Sequence, residues 1–423
     1  MRLFVLVLIF FIGCSVPDNN TEWVRDLSSV SPEEVGFSSD RLKRIDDVIE
    51  SYIEDKKFPG AVVRISRHGK TVYNKSYGMS DAENQVPMRE DHIFRIASQT
   101  KAITSVALMM LYEQGMFLLD DPVSMYIPEF ANTKILEGFN EETAEVTSRP
   151  AEKEVTIRQL LSHTSGIAYG FMHPTLSKVY ANAGVIDGLT TDPHKLSDII
   201  PKLGKQPVLF EPGSQWLYGL NTDVVGYLVE VLSEQSLDEY FEQHIFKPLG
   251  MEDTYFYLPE DKHNRLLPLY KSGDQGYEKA DDDGSNYPIS GSQTYFSGGA
   301  GLTSTAEDYS RFMEMLLNGG SFNGAQILGR KTVDLMTTNQ IGDLRTWGST
   351  TFGLGFEIVE VDQTFKMSGS EGSFAWGGIF NTIYWMDKEE DMSATLMLQI
   401  LPFEHNEIKE KFKVLVYQAL TEK

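Results

Sequence analysis

Strand-like segments near both ends of the chain, with a mostly helical middle between them, limit the available folds more than any other feature. These segments combine β-branched and aromatic residues with alternating polarity, and turn residues separate them. They are residues 60–66, 71–76, 356–361, 379–386 and 393–399. Because short turns, such as residues 387–391, can join antiparallel strands, both chain ends are expected to contribute to one sheet. The pattern predicts an α+β fold with an inserted helical lobe, about residues 100–290.

Helical periodicity supplies the remaining elements of this prediction. Apolar residues recur at helical spacing in residues 38–53, 102–111, 221–233, 236–245 and 406–420, and Asn406 is the expected N-cap of the last helix. The first and last of these helices are expected to flank the sheet. A cleft between sheet and helical lobe is then the expected place for a ligand.

The first residues have the composition of an export signal. Arg2 is followed by an apolar run at 3–12 and then by Gly13-Cys14-Ser15, and this run is too short to span a bilayer. Cys14 is the only cysteine, so no intramolecular disulfide can form, and it stands where a bacterial lipobox places its lipidated cysteine. We therefore predict a signal peptide at 1–14, a tether at 15–32 and a catalytic domain at 33–423. An ordinary signal peptide that happens to contain a cysteine is the alternative. The predicted location is the bacterial cell envelope, with a lipid anchor in a membrane and the domain facing the periplasm or exterior.

The net charge and the absence of several motifs argue against some classes of function. The formal net charge of −24 repels phosphate backbones, which argues against nucleic-acid binding. The eight histidines show no metal-ligand spacing, and no phosphate- or dinucleotide-binding motif occurs. We expect neither a metal nor another cofactor.

The most informative local motif is 94–101, FRIASQTK, at the start of a predicted helix. Residues three apart lie on one helix face, so the Ser98 hydroxyl and the Lys101 amine can meet. A serine becomes nucleophilic when a neighbouring base takes its proton, and a desolvated lysine can act as that base. S-x-x-K alone is a weak signal, because a chain of this length contains about one by chance. A helix cap followed by a surface lysine would give the same pattern.

The sequence resembles the serine β-lactamase-related family, in particular class C-like enzymes and carboxylesterases of the same fold. Besides 94–101, the resemblance rests on five stretches in family order. They are 118–127 (LLDDPVSMYI), 156–167 (TIRQLLSHTSGI), 210–226 (FEPGSQWLYGLNTDVVG), 297–308 (SGGAGLTSTAED) and 374–387 (FAWGGIFNTIYWMD). The resemblance implies a β-lactamase/transpeptidase-like fold and acyl transfer through Ser98 and Lys101.

The family's second and third motifs, Y-x-N and K-[ST]-G, each have a misleading match. Tyr180-Ala181-Asn182 and Lys271-Ser272-Gly273 fit by letter, but their context is wrong. The family's tyrosine follows a Pro-Gly turn and precedes a helix, which is the setting of Tyr218. Trp376-Gly377-Gly378 leads into a predicted strand in family order, whereas an acidic loop follows Lys271.

By resemblance, Tyr218 shares proton transfer with Lys101. The backbone N–H groups of Ser98 and Ile379 would form the oxyanion hole, and Gly377 and Gly378 would let the strand approach the substrate. Leu220 replaces the motif's asparagine, so we expect Asn221, one residue later, among the substrate-binding residues together with Trp376, Gly377 and Gly378. A core aromatic at a strand start is the other interpretation of Trp376. Further side chains that are consistent with cleft lining, core packing or surface packing are Tyr169, His173 and Phe296.

Trp376 replaces the lysine that helps the family's β-lactamases hold a substrate carboxylate. We therefore expect a serine hydrolase of small esters, with β-lactams at most secondary substrates. A D-aminopeptidase or DD-peptidase acting on amides is the enzymatic alternative. A lipid-anchored cell-envelope binding protein without turnover is the other, and the oligomeric state stays open.

Overall fold

The computed structural model of the protein describes residues 24–273, 275–280, 287–348, 350–360 and 368–422. Its main sheet has eight antiparallel strands, which are β1 (Gly60–Arg67), β2 (Lys70–Asp81), β3 (Val86–Pro87), β12 (Thr351–Phe352), β13 (Glu357–Ile358), β14 (Phe374–Gly378), β15 (Thr382–Asp387) and β16 (Met392–Met397). Their spatial order is β12-β13-β14-β15-β16-β1-β2-β3. At its centre, Val63 of β1 lies opposite Leu396 of β16. The prediction that both chain ends build one sheet is confirmed.

Eleven α-helices are present in the described residues, most of them in the middle of the chain. They are α1 (Ser39–Glu54), α2 (Thr100–Glu113), α3 (Ile157–Leu161), α4 (Pro174–Ala183), α5 (Leu196–Gly204), α6 (Asn221–Ser233), α7 (Leu237–Phe241), α8 (Lys247–Leu249), α9 (Ala306–Leu317), α10 (Arg330–Met336) and α11 (Glu407–Tyr417). The helix predicted at 236–245 is divided, because a π-helical turn at Glu242–Phe246 follows α7.

Short strands outside the main sheet were not predicted. They form four pairs: β4 (Phe94–Arg95) with β9 (Thr303–Ser304), β5 (Lys134–Asn140) with β6 (Glu145–Pro150), β7 (Tyr270–Gly273) with β8 (Gly276–Lys279), and β10 (Ser321–Phe322) with β11 (Ala325–Gln326). The β5–β6 hairpin is largely exposed, so its residues carry no apolar alternation. The helical lobe therefore also contains β-hairpins.

The sheet separates two apolar cores. Along β1, Ala61, Val63 and Ile65 pack towards α1 and α11, whereas Val62 packs towards the helical lobe. This alternation follows from the period of two along a strand. Helices α2, α6 and α9 bury their apolar residues in the larger core. The elements that carry the motif residues therefore rest on a continuous apolar support.

The strands predicted at 379–386 and 356–361 differ in detail from the structure. The first begins only at Thr382, because residues 379–381 form a turn in which Asn381 N–H donates to Gly378 at 3.0 Å. Trp376-Gly377-Gly378 consequently lies within β14 and not before a strand. Of the second, the structure forms Glu357–Ile358, and residue 361 lies outside the described residues. Asn406 occupies the N-cap position of α11, as predicted, but its side chain donates to the Phe403 carbonyl and makes no capping hydrogen bond.

The predicted signal peptide and Cys14 lie outside the described residues, as does the first part of the predicted tether. The described part, 24–32, packs on the domain: Leu27 N–H donates to Gly69 at 2.8 Å, and Val30 N–H donates to Thr71 at 3.1 Å. This part is therefore no free tether. None of the described helices is long and apolar enough to cross a membrane.

Candidate active site

Ser98 lies where β4 ends and α2 begins. A single 3₁₀ turn, Ala97–Gln99, links the two elements, and β4 is held by its pairing with β9. Ala97 has a φ of 43°, a left-handed conformation that is unfavourable for a residue with a side chain. Such strain persists only where surrounding structure imposes it. The turn places Ser98 in the lining of a large cavity.

Lys101 lies one turn further along and is only 2% exposed. Its Nζ atom lies 3.3 Å from Ser98 Oγ, 3.0 Å from the Tyr169 hydroxyl and 2.7 Å from the Gly299 carbonyl oxygen. The three-residue spacing thus brings Ser98 and Lys101 together, as the sequence predicts. The three N–H donors of an ammonium group match these three acceptors.

Tyr218 is the third side chain at Ser98. Its hydroxyl donates a hydrogen bond of 2.5 Å to Ser98 Oγ, and Lys101 Nζ lies 4.6 Å from the centre of its ring. The next residue, Gly219, packs directly against the backbone of Ile167, where no side chain would fit. A Cβ atom on Gly219 would lie 2.3 Å from the Ile167 carbonyl oxygen. The structure therefore brings together the three residues predicted to be catalytic.

The misleading motif matches lie elsewhere. Tyr180 is buried in α4, where its hydroxyl donates to the Ala168 carbonyl at 3.3 Å. Lys271 belongs to the β7–β8 hairpin and forms an ion pair of 3.2 Å with Glu278. Context, and not the letters of the motif, indicates the residue that reaches Ser98.

His163 and Asn221 form a buried support beneath Tyr218. Asn221 Nδ2 donates to His163 Nδ1 at 3.0 Å and also to the Ile167 carbonyl at 3.0 Å, and its Oδ1 accepts from Ser165. The His163 ring centre lies 5.0 Å from that of Tyr218, and burial lowers the pKa of His163 well below its usual range. The prediction that Asn221 binds substrate is wrong, because its side chain is fully buried and hydrogen-bonded within the protein.

Strand β14 forms the opposite wall of the cavity. Trp376 is half-buried, with its Nε1 atom 3.4 Å from the Tyr218 hydroxyl. A Cβ atom on Gly378 would lie 2.3 Å from the Ile96 carbonyl oxygen, and one on Gly377 would lie 2.9 Å from the Thr382 carbonyl oxygen. Both glycines line the cavity, and their tightest contacts are with the backbone beside Ser98 and with β15. Their predicted role in a close approach of the substrate stays a prediction.

Ile379 follows β14 and is 52% exposed at the cavity. Neither its backbone N–H nor that of Ser98 donates to an acceptor within the part of the chain that the structure describes. Two free N–H groups beside a nucleophile are what an oxyanion hole requires. Their predicted role in oxyanion binding stays a prediction.

The cavity above Ser98 has a volume of about 690 Å³ and mostly apolar walls. Several of its large apolar side chains are strongly exposed: Phe171 (63%), Met172 (41%), Trp347 (60%) and Ile379 (52%). Lys409 and Lys413 of α11 also line it. Exposed apolar clusters of this kind mark ligand-binding or interaction sites, and the volume suits a small molecule with an apolar body.

Of the three side chains left open, only Tyr169 lines this cavity. Burial raises its pKa well above the usual range, so its hydroxyl keeps its proton. His173 caps α4 by accepting from Leu176 N–H, and Phe296 packs at 5.3 Å on Phe256.

The sequence analysis missed two contributors beneath Lys101, namely Gly299 and Asp223. Gly299 supplies the carbonyl that accepts from Lys101 and donates its N–H to Asp223 Oδ1 at 3.2 Å. Asp223 lies in the first turn of α6 and is 1% exposed. An acidic residue in the first turn of a predicted helix, five positions after Tyr218, was the available signal.

The described residues contain no group of three His, Cys, Asp or Glu side chains that could hold a metal ion. The expectation that the protein needs no metal or other cofactor stays a prediction.

An antiparallel sheet flanked by terminal helices, with a serine site facing an inserted helical lobe, defines a β-lactamase/transpeptidase-like fold. A model of the Beta-lactamase family matches residues 45–418. The chain belongs to this family.

Known relatives include hydrolases and acyltransferases. The chain is 29% identical to Esterase EstB of Burkholderia gladioli over 390 residues, which are 88% of this chain and 94% of that protein. The solved structure of EstCE1, described as a hydrolase with promiscuous acyltransferase activity, is 26% identical, with a TM-score of 0.76 over 89% of this chain and 99% of that one. Simvastatin synthase (LovD) of Aspergillus terreus is 25% identical, with a TM-score of 0.78 over 91% of this chain and 100% of that one. The chain is therefore similar to esterases and acyltransferases of the β-lactamase fold.

Proposed function

We propose that the protein is a serine esterase that hydrolyses small carboxylic esters through a covalent acyl-enzyme. The carrying observation is that Lys101 Nζ and the Tyr218 hydroxyl both contact Ser98 Oγ, at 3.3 Å and 2.5 Å. A nucleophile in contact with two proton-transfer groups at the lining of a cavity is the arrangement that acyl transfer needs.

In the acylation step, Ser98 Oγ attacks the ester carbonyl carbon while neutral Lys101 takes the serine proton. The carbonyl oxygen becomes an oxyanion, which the N–H groups of Ser98 and Ile379 stabilise. As the carbon–oxygen bond to the alcohol breaks, Tyr218 donates its proton to the leaving alkoxide. The proton held by Lys101 then restores Tyr218, since both groups lie at Ser98 Oγ, at 3.3 Å and 2.5 Å. The products are an acyl-serine and a neutral alcohol.

Deacylation runs the same proton path in reverse. A water molecule takes the place of the alcohol and gives a proton to the Tyr218–Lys101 pair as its oxygen attacks the acyl carbon. The bond to Ser98 Oγ then breaks, and Ser98 recovers a proton from Lys101. The carboxylic acid leaves and the free enzyme is restored.

The strand wall favours esters over β-lactams. The residue before the two glycines is Trp376, whose ring centre lies 5.3 Å from that of Tyr218. An indole at this point binds apolar groups and offers no cation for a substrate carboxylate. The similarity to Esterase EstB supports the same substrate class.

The deciding experiment compares wild type with Ser98→Ala for hydrolysis of p-nitrophenyl butyrate, with nitrocefin and a D-alanyl amide run in parallel. We expect ester turnover in the wild type and a loss of about 10⁴-fold or more in the variant. Ser105→Ala is the matched control, since Ser105 is a buried serine of α2, the helix that follows Ser98, and lies outside the cavity lining.

Each other outcome has a defined meaning. Ester turnover that survives in Ser98→Ala contradicts the nucleophile. Amide turnover above ester turnover favours the peptidase alternative. A wild type that neither turns over a substrate nor reacts with a fluorophosphonate supports the non-catalytic binding protein.

We also propose that the protein is exported and anchored through a lipid on Cys14. The support is the sequence at 1–15. In a bacterial host, wild type should enter the detergent phase of Triton X-114 and Cys14→Ser the aqueous phase. Wild type in the aqueous phase would contradict the anchor.

A further inference from the structure

Asp223 is a buried acidic group to which the proposed mechanism gives no role. It lies in the first turn of α6, where the helix dipole favours a negative charge. Its Oδ1 atom accepts from the Ser297 hydroxyl at 2.6 Å and from Gly299 N–H at 3.2 Å. Its Oδ2 atom is buried and has no hydrogen-bond partner among the described residues. A buried carboxylate that is only half satisfied by neutral donors needs a positive charge nearby.

Gly299 connects this carboxylate to the nucleophile's partner. The same residue donates its N–H to Asp223 and accepts from Lys101 Nζ with its carbonyl, at 2.7 Å. The contact excludes any side chain on Gly299, because a Cβ atom there would lie 2.4 Å from Asp223 Oδ2. Lys101 and Asp223 are therefore held on the two sides of a single residue.

Lys101 Nζ is also surrounded by groups that bind a cation. All three atoms within hydrogen-bond distance of Nζ are oxygens, and the Tyr218 and Tyr169 ring centres lie 4.6 Å and 5.4 Å away. Aromatic faces attract a cation. Burial raises the pKa of the Asp223 carboxyl above its usual range, and the charge of Lys101 offsets part of that rise.

We propose that Asp223 is a positioning residue whose buried carboxylate is the counter-ion of Lys101 and fixes the Gly299 carbonyl that orients the Lys101 amine. The carboxylate stabilises the ammonium form, so it determines at which pH the amine becomes free to accept the Ser98 proton. This inference rests on the proposed acyl transfer at Ser98.

The titratable groups around the Asp223–Lys101 pair are His163, Tyr169, Asp187, Tyr218 and Tyr295. Burial keeps His163 uncharged and keeps the Tyr169 and Tyr295 hydroxyls protonated. Asp187 accepts from the N–H groups of Gly170 and Phe171, at the loop that carries Tyr169. Lys101 is the one cation in this set, and Asp223 is the carboxylate joined to it through Gly299.

The test is the pH dependence of Asp223→Asn, which keeps the shape of the side chain and removes its charge. Two readouts are used: kcat/KM for p-nitrophenyl butyrate and the rate of fluorophosphonate labelling of Ser98. Without the anion, Lys101 loses its proton more readily. The acid limb of both profiles should therefore move towards lower pH by about one unit or more. Asp223→Glu, which restores a carboxylate, should keep the limb close to its wild-type position even if the rate is lower.

Asp308→Asn is the matched control. Asp308 is a buried carboxylate of α9 that accepts from Asp253 N–H and from the Thr254 hydroxyl, with no contact to Lys101. Its replacement should leave the acid limb in place. If Asp223→Asn does not fold, as judged by near-UV circular dichroism, the smaller neutral variant Asp223→Ser is measured instead.

A lower rate with an unmoved acid limb in the neutral variant would overturn the proposal and leave Asp223 a packing role. An equal shift in Asp308→Asn would overturn it as well. A wild type that the fluorophosphonate does not label would instead contradict the proposed function, so the two failures are distinguishable.

Discussion

The two walls of the cavity are built differently. On the helical side, the polar groups form one connected network: Ser98 Oγ contacts Lys101 and Tyr218, and Lys101 also contacts Tyr169 and Gly299. On the strand side, the wall consists of an indole, two glycines and the exposed Ile379.

We infer from this difference that the helical wall carries out the chemistry and that the strand wall recognises the substrate. A network in which every member is held by several neighbours keeps its geometry when the substrate changes. A wall of backbone and one aromatic ring offers an apolar surface and free N–H groups, which position a carbonyl without reacting with it. We therefore expect substitutions on the helical wall to lower kcat, and substitutions of strand-wall side chains to act mainly on KM.

Tyr218→Phe is expected to have the largest effect. It removes the hydroxyl that donates to Ser98 Oγ at 2.5 Å, so kcat should fall about 10²–10³-fold with little change in KM. The measurement is steady-state hydrolysis of p-nitrophenyl butyrate. Tyr180→Phe is the matched control and should retain activity within about threefold, since the Tyr180 hydroxyl bonds, among the described residues, only to the Ala168 carbonyl. If Tyr180→Phe were the inactive variant, the literal Y-x-N motif would be the functional one.

Gly378→Ala tests whether the strand wall also supports the nucleophile. The added Cβ would lie 2.3 Å from the Ile96 carbonyl oxygen, two residues before Ser98, so β14 and the nucleophile turn must move apart. Displacements of this kind lower the rate about 10²-fold, and here they should appear in kcat. Gly138→Ala, in the exposed β5–β6 hairpin, has its nearest neighbour at 3.9 Å and should behave as wild type. Full activity of Gly378→Ala would show that the wall is separable from the nucleophile.

Much of the fold followed from local periodicity. The helix predicted at 221–233 coincides with α6, and the strand predicted at 60–66 differs from β1 by one residue. These elements are amphipathic or fully buried, so their sequence patterns are strong. The β5–β6 hairpin was missed because it is largely exposed and lacks such a pattern.

The candidate site was also predictable from the sequence only in part. The meeting of Ser98 and Lys101 follows from their three-residue spacing across the 3₁₀ turn and the start of α2. The position of Tyr218 was predicted from the resemblance to the family, whose tyrosine also follows a Pro-Gly turn. The burial of Asn221 and the placement of Asp223 against Gly299 depend on loops that are distant in sequence. Sequence shows that a polar residue begins a helix, but the direction of its side chain depends on what packs above it.

Trp376→Leu should have the smallest effect. It is also the clearest test of whether the strand wall acts on KM and not on kcat. Its ring packs 5.3 Å from the Tyr218 ring and 5.4 Å from the Phe352 ring, so part of its role is structural. Leucine keeps an apolar surface but loses the aromatic face and the Nε1 contact with the Tyr218 hydroxyl at 3.4 Å. We expect KM for p-nitrophenyl butyrate to rise about tenfold while kcat stays within about threefold.

Trp347→Leu is the comparison, because Trp347 lines the same cavity but is 60% exposed and should change KM less. A fall in kcat with unchanged KM in Trp376→Leu would show that the indole acts through Tyr218. The two walls would then form one catalytic unit, and the division between chemistry and recognition would fail at this residue.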